Sequence, residues 1–576
     1  MASKAIVLAT SFFTAILLIT PVLGGYTARV FAREKTWLDP LMRPAERAVY
    51  RLCGIDEAAE MTWSEYALAM LGFQFVGMVA LYAIQRLQGV LPFNPEHLGS
   101  VPPALALNTA ASFVSNTDWQ AYAGESTMSY FTQMAGLAYQ CFASGATGLA
   151  VGIAVIRGFA RRCSQSIGNF WVDLTRAILW VLFPLSIPVA LLLVWQGVPQ
   201  NLSPYVHALT LERARQVIPQ GPVASQTAID YLGTNGSGFF NAIAAHPYQN
   251  PTPLTNLIAL FSVVMISAAL PYTLGVMVGD KRQGWTLLAA MILLALAGIA
   301  AITAAERSGN PLLARAGVCQ AATAAQPAGN MEGKEVRFGI VDSALFADLV
   351  TATGSGSPDA MHDSFTPLSG LVMLFNMGAG ELIFGGVGVG LVGMVFMALL
   401  AVFIAGLMVG RTPEYLGKKI QAREMKLTVL YLIAPSAVAL VFAAAAAAVK
   451  PGLSSIGNPG PHGLTEILYA FMSGAANNGS AFAGLNANTV FYNLTLAMDM
   501  LIGRYFTLIP ALALAGAMAE KKTVPPSAGT LPTSGVLFVV LLIGVVVLFA
   551  MLTFFSPLAL GPIAEHLAMR AGRLFH

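Results

Sequence analysis

Apolar residues in this chain gather into about ten long blocks, and Gly, Ser, Thr, Asn and charged residues return between them. The blocks lie near residues 5–24, 66–84, 131–156, 177–195, 254–278, 284–304, 368–410, 428–449, 494–518 and 535–556. A helix crosses a bilayer with roughly 20 mainly apolar residues. Each block therefore predicts a membrane span, and the pattern predicts an all-α polytopic membrane protein of about ten transmembrane helices. The block at 5–24 follows Lys4 and has the length of a leader, but one Lys is a thin basic flank and no convincing A-x-A site follows. It is read as the first span.

Between the spans lie four apolar runs too short to cross, each leading into a polar turn. Pro103 to Val114 leads into SNTDWQ (Ser115 to Gln120), and the run near Pro222 to Leu232 into GTNGSGFF (Gly233 to Phe240). Val341 to Ala352 leads into TGSGS (Thr353 to Ser357), and Leu464 to Ala476 into NNGSAF (Asn477 to Phe482). Asn235-Gly236-Ser237-x-Phe239 and Asn478-Gly479-Ser480-x-Phe482 agree residue for residue. His246 with Thr252-Pro253-Leu254 is echoed by His362 with Thr366-Pro367-Leu368. These are internal repeats: a span, a re-entrant half-length helix, a turn and a second span, four times over, with one span left at each end. The expected divisions are 1–60 (first span and cytoplasmic loop), 61–162, 163–282, 283–426 and 427–522 (four pore repeats, the third with a broken second helix), and 523–576 (last span and outer tail). Irregular backbone is tolerated at membrane depth only where it is buried in protein or lines a water-filled cavity. Four such turns are expected to meet on one pseudo-four-fold axis as a pore with a filter.

Composition agrees, with 56% apolar residues, 10% charged residues and a mean hydropathy of +0.68, values that exclude an ordinary soluble domain. Short cytoplasmic loops collect Lys and Arg. Placing both termini outside puts 19 of the 31 Lys and Arg residues in five cytoplasmic loops, around Arg43, Arg161, Lys281, Lys418 and Lys521. The net charge of +3 then reflects topology and points to no nucleic acid. Cys53 and Cys163 fall in cytoplasmic loops, Cys141 in a span and Cys319 outside, so no disulfide is expected. No CxxC or HExxH offers a transition-metal site.

The turn residues suit a dehydrated monovalent cation. Gly lets backbone carbonyls crowd around an ion, and Thr, Ser and Asn add neutral oxygens. A divalent filter would carry a ring of carboxylates, yet Asp118 is the one acidic residue in the four turns. A single turn of this kind is an ordinary loop; four repeated copies point to potassium selection.

The turns, together with the strings GELIFGGVGVG (Gly380 to Gly390), AVFIAGLMVGRTPEYLGKKIQAREMK (Ala401 to Lys426) and NNGSAFAGL (Asn477 to Leu485), resemble the potassium-binding A subunit of Kdp-type potassium-transporting ATPases over nearly the whole chain. The resemblance implies membership of the potassium-transporter superfamily, whose four membrane-pore-membrane units derive from a channel-like ancestor. It implies a non-catalytic subunit in the bacterial inner membrane, both termini periplasmic. Such a subunit takes up extracellular potassium and passes it laterally to a P-type ATPase B subunit, with a C subunit and a small single-span F subunit alongside. Potassium is then the substrate, ATP and Mg sit on the partner, and this chain carries no cofactor. By position, the resemblance assigns ion contact to Asn116 and Thr117, to Thr234, Asn235 and Gly236, to Gly354, Ser355 and Gly356, and to Asn477, Asn478 and Gly479, with Gln120 modulating affinity. Three positions depart from the family: Asp118 stands where Asn is frequent, Ser237 where Gly is common, and Gly354 with Ser355 replaces a different pair. Asp118 either adds negative field at the mouth and so affects affinity, or is an outer-rim residue paired to water.

The block at 368–410 is about 40 residues long, twice what a bilayer needs, which predicts two half-helices joined by a Gly-rich loop. That loop, with Gly385, Gly386, Gly388 and Gly390, is expected to obstruct the pore. Its GxGxxG (Gly388 to Gly393) follows no strand and predicts no dinucleotide site. Glu381 beside the break is expected to face the interior. Arg504 lies within a span, where an arginine costs roughly 3 kcal/mol, and the resemblance places it behind the filter as a positive barrier. Asp499, five residues away, is poorly spaced to pair with it on one helix.

No GxxxxGK[ST] loop and no DKTGT motif is present, so neither route to ATP hydrolysis is open to this chain. A substrate-binding subunit of a pump is the leading reading. A stand-alone channel or symporter like the Trk and Ktr proteins would share the pore without needing the two end spans. A membrane enzyme has no nucleophile–base pair to rest on.

Overall fold

A computed structural model of the protein describes residues 2–324, 326–380, 382–410, 412–525 and 530–573. Among these residues ten helices are long and apolar enough to cross a membrane: Lys4–Phe31, Trp63–Val90, Thr132–Ala160, Phe170–Trp195, Pro253–Met277, Lys281–Arg315, Val389–Met408, Ala422–Ala448, Val490–Glu520 and Val536–Ala571. Each of the ten blocks read from the sequence falls on one. The block at 368–410 holds two helices, Pro367–Gly378 and Val389–Val409. Among the described residues, strands are confined to three short antiparallel pairs: Met61–Thr62 with Ser166–Gly168, Val206–Leu209 with Arg215–Ile218, and Glu414–Tyr415 with Lys418–Lys419.

Local chemistry sets several helix starts. Thr62 opens the helix Trp63–Leu87 with a capping box to Glu65, and Thr252 opens Pro253–Met277 in the same way with Thr255. Asp280 and Thr489 cap two further spans through side-chain oxygens, which accept from first-turn N–H groups that have no helical partner.

Burial sorts the spans by place in the repeat. In the second span of each repeat, 89% (Thr132–Ala160), 78% (Pro253–Met277), 67% (Val389–Met408) and 72% (Val490–Glu520) of the apolar window is buried. In the first spans the shares are 22% (Trp63–Val90), 39% (Phe170–Trp195), 50% (Lys281–Arg315) and 33% (Ala422–Ala448). The second spans form an inner ring and the first spans an outer one, with the two end spans also peripheral at 33% each. Gly148 and Gly152 let the span Thr132–Ala160 close on neighbouring backbone, since a Cβ there would stand 2.5 Å from Val387 O and 2.9 Å from Gly388 Cα.

The basic loops lie together at one end of the bundle. Arg157 makes a bidentate pair with Asp173 (2.5 and 2.8 Å), which also accepts from the Tyr66 hydroxyl. Arg176 and Arg43 share Glu46 at 2.7 and 2.8 Å. Lys418 donates to the carbonyls of Gly158, Arg161 and Met518 at 2.7, 2.6 and 2.6 Å, placing a cation at the C-termini of two spans, the negative ends of their dipoles.

Candidate cation pore

Four short helices, Pro103–Val114, Val223–Gly233, Gly339–Ala352 and Pro461–Ala476, dip toward a common point and end at the four polar turns. Three turns begin with a non-glycine residue in the left-handed region: Asn116 at φ 64°, Thr234 at 51° and Asn477 at 62°. That conformation is uncommon outside glycine, and its recurrence at equivalent positions is the backbone form of the repeat. The third turn differs: Thr353 is extended (φ −99°) and the positive φ falls on Gly356 at 49°.

The turns converge through glycine. A Cβ on Gly236 would stand 2.2 Å from Asn478 O, 2.4 Å from Thr117 O and 2.6 Å from Gly479 Cα. One on Gly356 would stand 2.2 Å from Asn478 O, and one on Gly479 1.9 Å from Thr117 O. Backbone carbonyls from separate repeats thus meet where side chains are excluded, an arrangement suited to coordinating a dehydrated cation with neutral oxygens.

Side chains stitch neighbouring turns. Asn116 donates to Gly233 O and Thr234 O (3.3 and 3.1 Å), and Asn478 makes the matching bonds to Val350 O and Thr353 O (2.9 and 2.7 Å). Asn477 donates to Thr117 Oγ1 at 2.9 Å. The Ser355 and Ser357 hydroxyls reach Asn235 O at 3.4 and 3.2 Å, and Ser357 also reaches Ser237 O at 3.0 Å. Gly354 adjoins these serines in the third turn and is itself buried. Gln120 clamps the exits of the first two turns, donating to Gly238 O and accepting from Gly238 N. It also lines an outer vestibule of about 460 Å³. Beside this vestibule His246 stacks on Phe240 at 3.9 Å. Burial, and then the charge of Arg337, lower its pKa to about 4.

Asp118 is at neither the mouth nor the rim. It is fully buried, has φ 56°, and its carboxylate accepts from the Asn235 amide behind the filter. Its burial corrects the reading of an outer-rim residue paired to water.

Under the filter, the loop between Gly378 and Val389 crosses the axis. Gly385 N donates to Ala352 O at 3.0 Å, Ser267 donates to Gly385 O at 3.1 Å, and Val387 N donates to Thr234 Oγ1 at 2.9 Å. Gly386 lies against Thr234 Oγ1, and Gly388 (φ 88°) against Gly148 O, where a Cβ would come within 2.0 Å. Gly390 packs on Phe384 O. The loop is tied to the second and third repeats' filter segments and to two inner spans. Arg504, buried, donates to Ser144 O at 3.2 Å, and its guanidinium lies near Gly148 between turn and loop. The Asp499 carboxylate lies instead against Gly474 of the fourth pore helix. Glu381 lies outside the described residues.

The described residues named from the sequence lie in the four turns, directly after the first turn, in the Gly-rich loop or, for Arg504, on an inner span between them. Ser267 and Gly148 were not marked in the sequence; they touch the loop from inner spans, and no local signal marks a hydroxyl or glycine whose partner is more than a hundred residues away.

Residues 10–567 match a family model described as potassium-transporting ATPase A subunit. A potassium-transporting ATPase potassium-binding subunit from Mesorhizobium japonicum is 56% identical over 558 residues, covering 97% of this chain and 97% of that protein. A protein of the same name from Methylobacterium nodulans is 56% identical over 566 residues, covering 98% of each. Among solved structures, the potassium transporter TrkH from Vibrio parahaemolyticus superposes with a TM-score of 0.50 at 14% identity, covering 87% of this chain and 97% of its own. That likeness concerns the fold.

Proposed function

The chain belongs to the potassium-transporting ATPase A subunit family, and from that premise we propose that it binds potassium from outside the cell in its four-turn filter and hands the ion sideways to an ATP-hydrolysing partner. The observation that carries the reading is the pairing of a carbonyl-lined constriction at Thr117, Gly236, Gly356 and Asn478 with a loop at Gly385 to Gly388 that closes the axis beneath it. Selection is open to the outer vestibule, while direct passage inward is obstructed. A small cavity of about 40 Å³ lies off the axis beside the break, under Asn477 and between Met377, Tyr431 and Phe554. It supports a lateral exit.

The protein resides in the bacterial inner membrane with both termini periplasmic and the loops around Arg161, Lys281, Lys418 and Lys521 in the cytoplasm. Its partners are a P-type ATPase B subunit, a C subunit and a single-span F subunit. This chain supplies the ion path, and ATP and Mg bind the B subunit. Arg504 places a positive charge below the filter, which raises the barrier to a cation continuing along the axis.

A passive pore is limited by the membrane potential, about 2.3 kcal/mol per charge per 100 mV, so accumulation beyond that needs the partner. The purified chain in liposomes is expected to conduct little potassium, and the full complex to hydrolyse ATP in a potassium-stimulated manner. Robust flux through the single chain, unchanged by partner and ATP, would overturn the pump-subunit reading in favour of a channel.

A further inference from the structure

Behind the fourth filter turn three side chains from separate segments meet in one buried hydrogen-bonded triangle. Tyr469 Oη lies 2.6 Å from Ser480 Oγ and 2.9 Å from His362 Nδ1, and His362 Nδ1 lies 3.2 Å from Ser480 Oγ. Tyr469 comes from the fourth pore helix, Ser480 follows Gly479 of the fourth turn, and His362 lies on the connection that leaves the third turn. All three are 0–1% exposed. The same seam is reinforced by backbone. Asp363 N donates to Phe482 O at 2.9 Å, Ser480 N donates to Asn478 Oδ1 at 3.1 Å, and a Cβ on Gly356 would stand 2.4 Å from Ser480 N.

Two hydroxyls and one ring nitrogen share these contacts, and which of them donates to the imidazole follows from its tautomer. Burial, and then the charge of Lys334, hold the imidazole neutral by lowering its pKa to about 3. In either tautomer the Ser480 hydroxyl has Tyr469 and His362 as its neighbours. The equivalent serine of the third turn, Ser357, instead donates to the filter carbonyls Asn235 O and Ser237 O. The two serines thus have different partners, filter carbonyls for Ser357 and the His362–Tyr469 pair for Ser480.

Resting on the potassium reading of the filter, we propose that His362, Tyr469 and Ser480 are positioning residues that hold the Asn478–Gly479 carbonyls at potassium spacing, and that this triangle sets discrimination against sodium and ammonium. None of the three contacts the ion through its side chain; they act through the backbone of the fourth turn. Removing one hydroxyl leaves the volume nearly unchanged but lets the turn relax toward smaller cations.

The test uses the assembled complex and reads the half-saturating potassium concentration, kcat and sodium and ammonium competition in potassium-stimulated ATP hydrolysis. Tyr469→Phe and Ser480→Ala are each expected to raise half-saturation for potassium about tenfold, as the loss of one buried hydrogen bond does, with kcat within about twofold and competition by the other cations increased. The double variant is expected to be no worse than either single one. His362→Asn, whose amide offers both an acceptor and a donor near the Nδ1 position, should restore much of what His362→Ala loses. Should Ser480→Ala fail to assemble, Tyr469→Phe and the His362 pair decide. Variants that assemble with unchanged half-saturation and unchanged competition overturn the proposal, as does a uniform fall in kcat and thermal stability without a selectivity change. A parent complex with no potassium stimulation defeats the functional reading instead, so the two failures are distinguishable.

Discussion

At the scale of single residues, the filter is defined by where a side chain cannot be. Gly236 has backbone from the first and fourth turns within 2.6 Å of any Cβ it could carry, so its substitution acts on geometry before it acts on charge. Gly236→Asp is expected to weaken potassium selectivity. The carboxylate pushes the Thr117 and Asn478 carbonyls apart and adds a charge that attracts smaller cations too. Competition by sodium or ammonium should strengthen; a folded variant that keeps its potassium preference would show that the filter lies elsewhere. His462 illustrates a charge outside the membrane. Burial alone would lower its pKa, but hydrogen bonds to Asp363 and Glu565 (2.7 Å each) and their charges outweigh it and raise the value to about 10. A raised folded-state value contributes stability that is fully present below the ordinary histidine range, near 6.5, and is lost as pH rises through about 10. Melting temperature should fall progressively from about pH 6.5 to about pH 10 and level off above it, and His462→Gln should melt lower at pH 6 and lack that decline.

At the scale of elements, the broken third-repeat span and the loops that tie span ends together decide what moves. The loop at Gly385 to Gly388 is fixed to Ala352, Ser267 and Thr234 by single hydrogen bonds, so it is held across the axis without being part of a helix. At the basic end, Lys418 joins the strand pair 414–419 to the C-termini of Thr132–Ala160 and Val490–Glu520 through three carbonyls. Burial depresses its pKa to about 8, and the charges of Arg162 and Lys521 add to the depression. Lys418→Met keeps the stem and removes all three bonds. It is expected to destabilise by about 2–3 kcal/mol, because charge-assisted bonds to buried carbonyls are lost, and thermal unfolding of the assembled complex measures it. A shift of the melting temperature within error of zero would mean that water satisfies those carbonyls instead.

At the scale of the whole molecule, four inner spans and four outer ones surround one axis, and the basic loops share one end. With that end cytoplasmic, a cysteine at position 420 or 522 should label from the inside only, in sealed cells. Labelling from outside would invert the topology and place the vestibule lined by Gln120 and His362 on the wrong side for uptake. The ten spans, the short pore helices and the break at Gly380 to Gly390 were all legible in the chain, because hydropathy and glycine content act over one helix length. The four turns were legible as well, because they repeat. Asp118 was misjudged because its direction depends on a positive φ and on the Asn235 amide 117 positions away.

What the amino-acid order determines by itself is therefore what is local: which segments are apolar enough to cross, where glycine and asparagine permit a turn, and which loops carry positive charge. Only the tertiary structure decides which carbonyl meets which glycine, that second spans are inner and first spans outer, that the Gly-rich loop lies under the filter, and that Tyr469, Ser480 and His362 close a triangle. Those relations join residues far apart along the chain, and they arise when four repeats bury polar backbone against one another, since in a membrane each such group must find its partner within the protein.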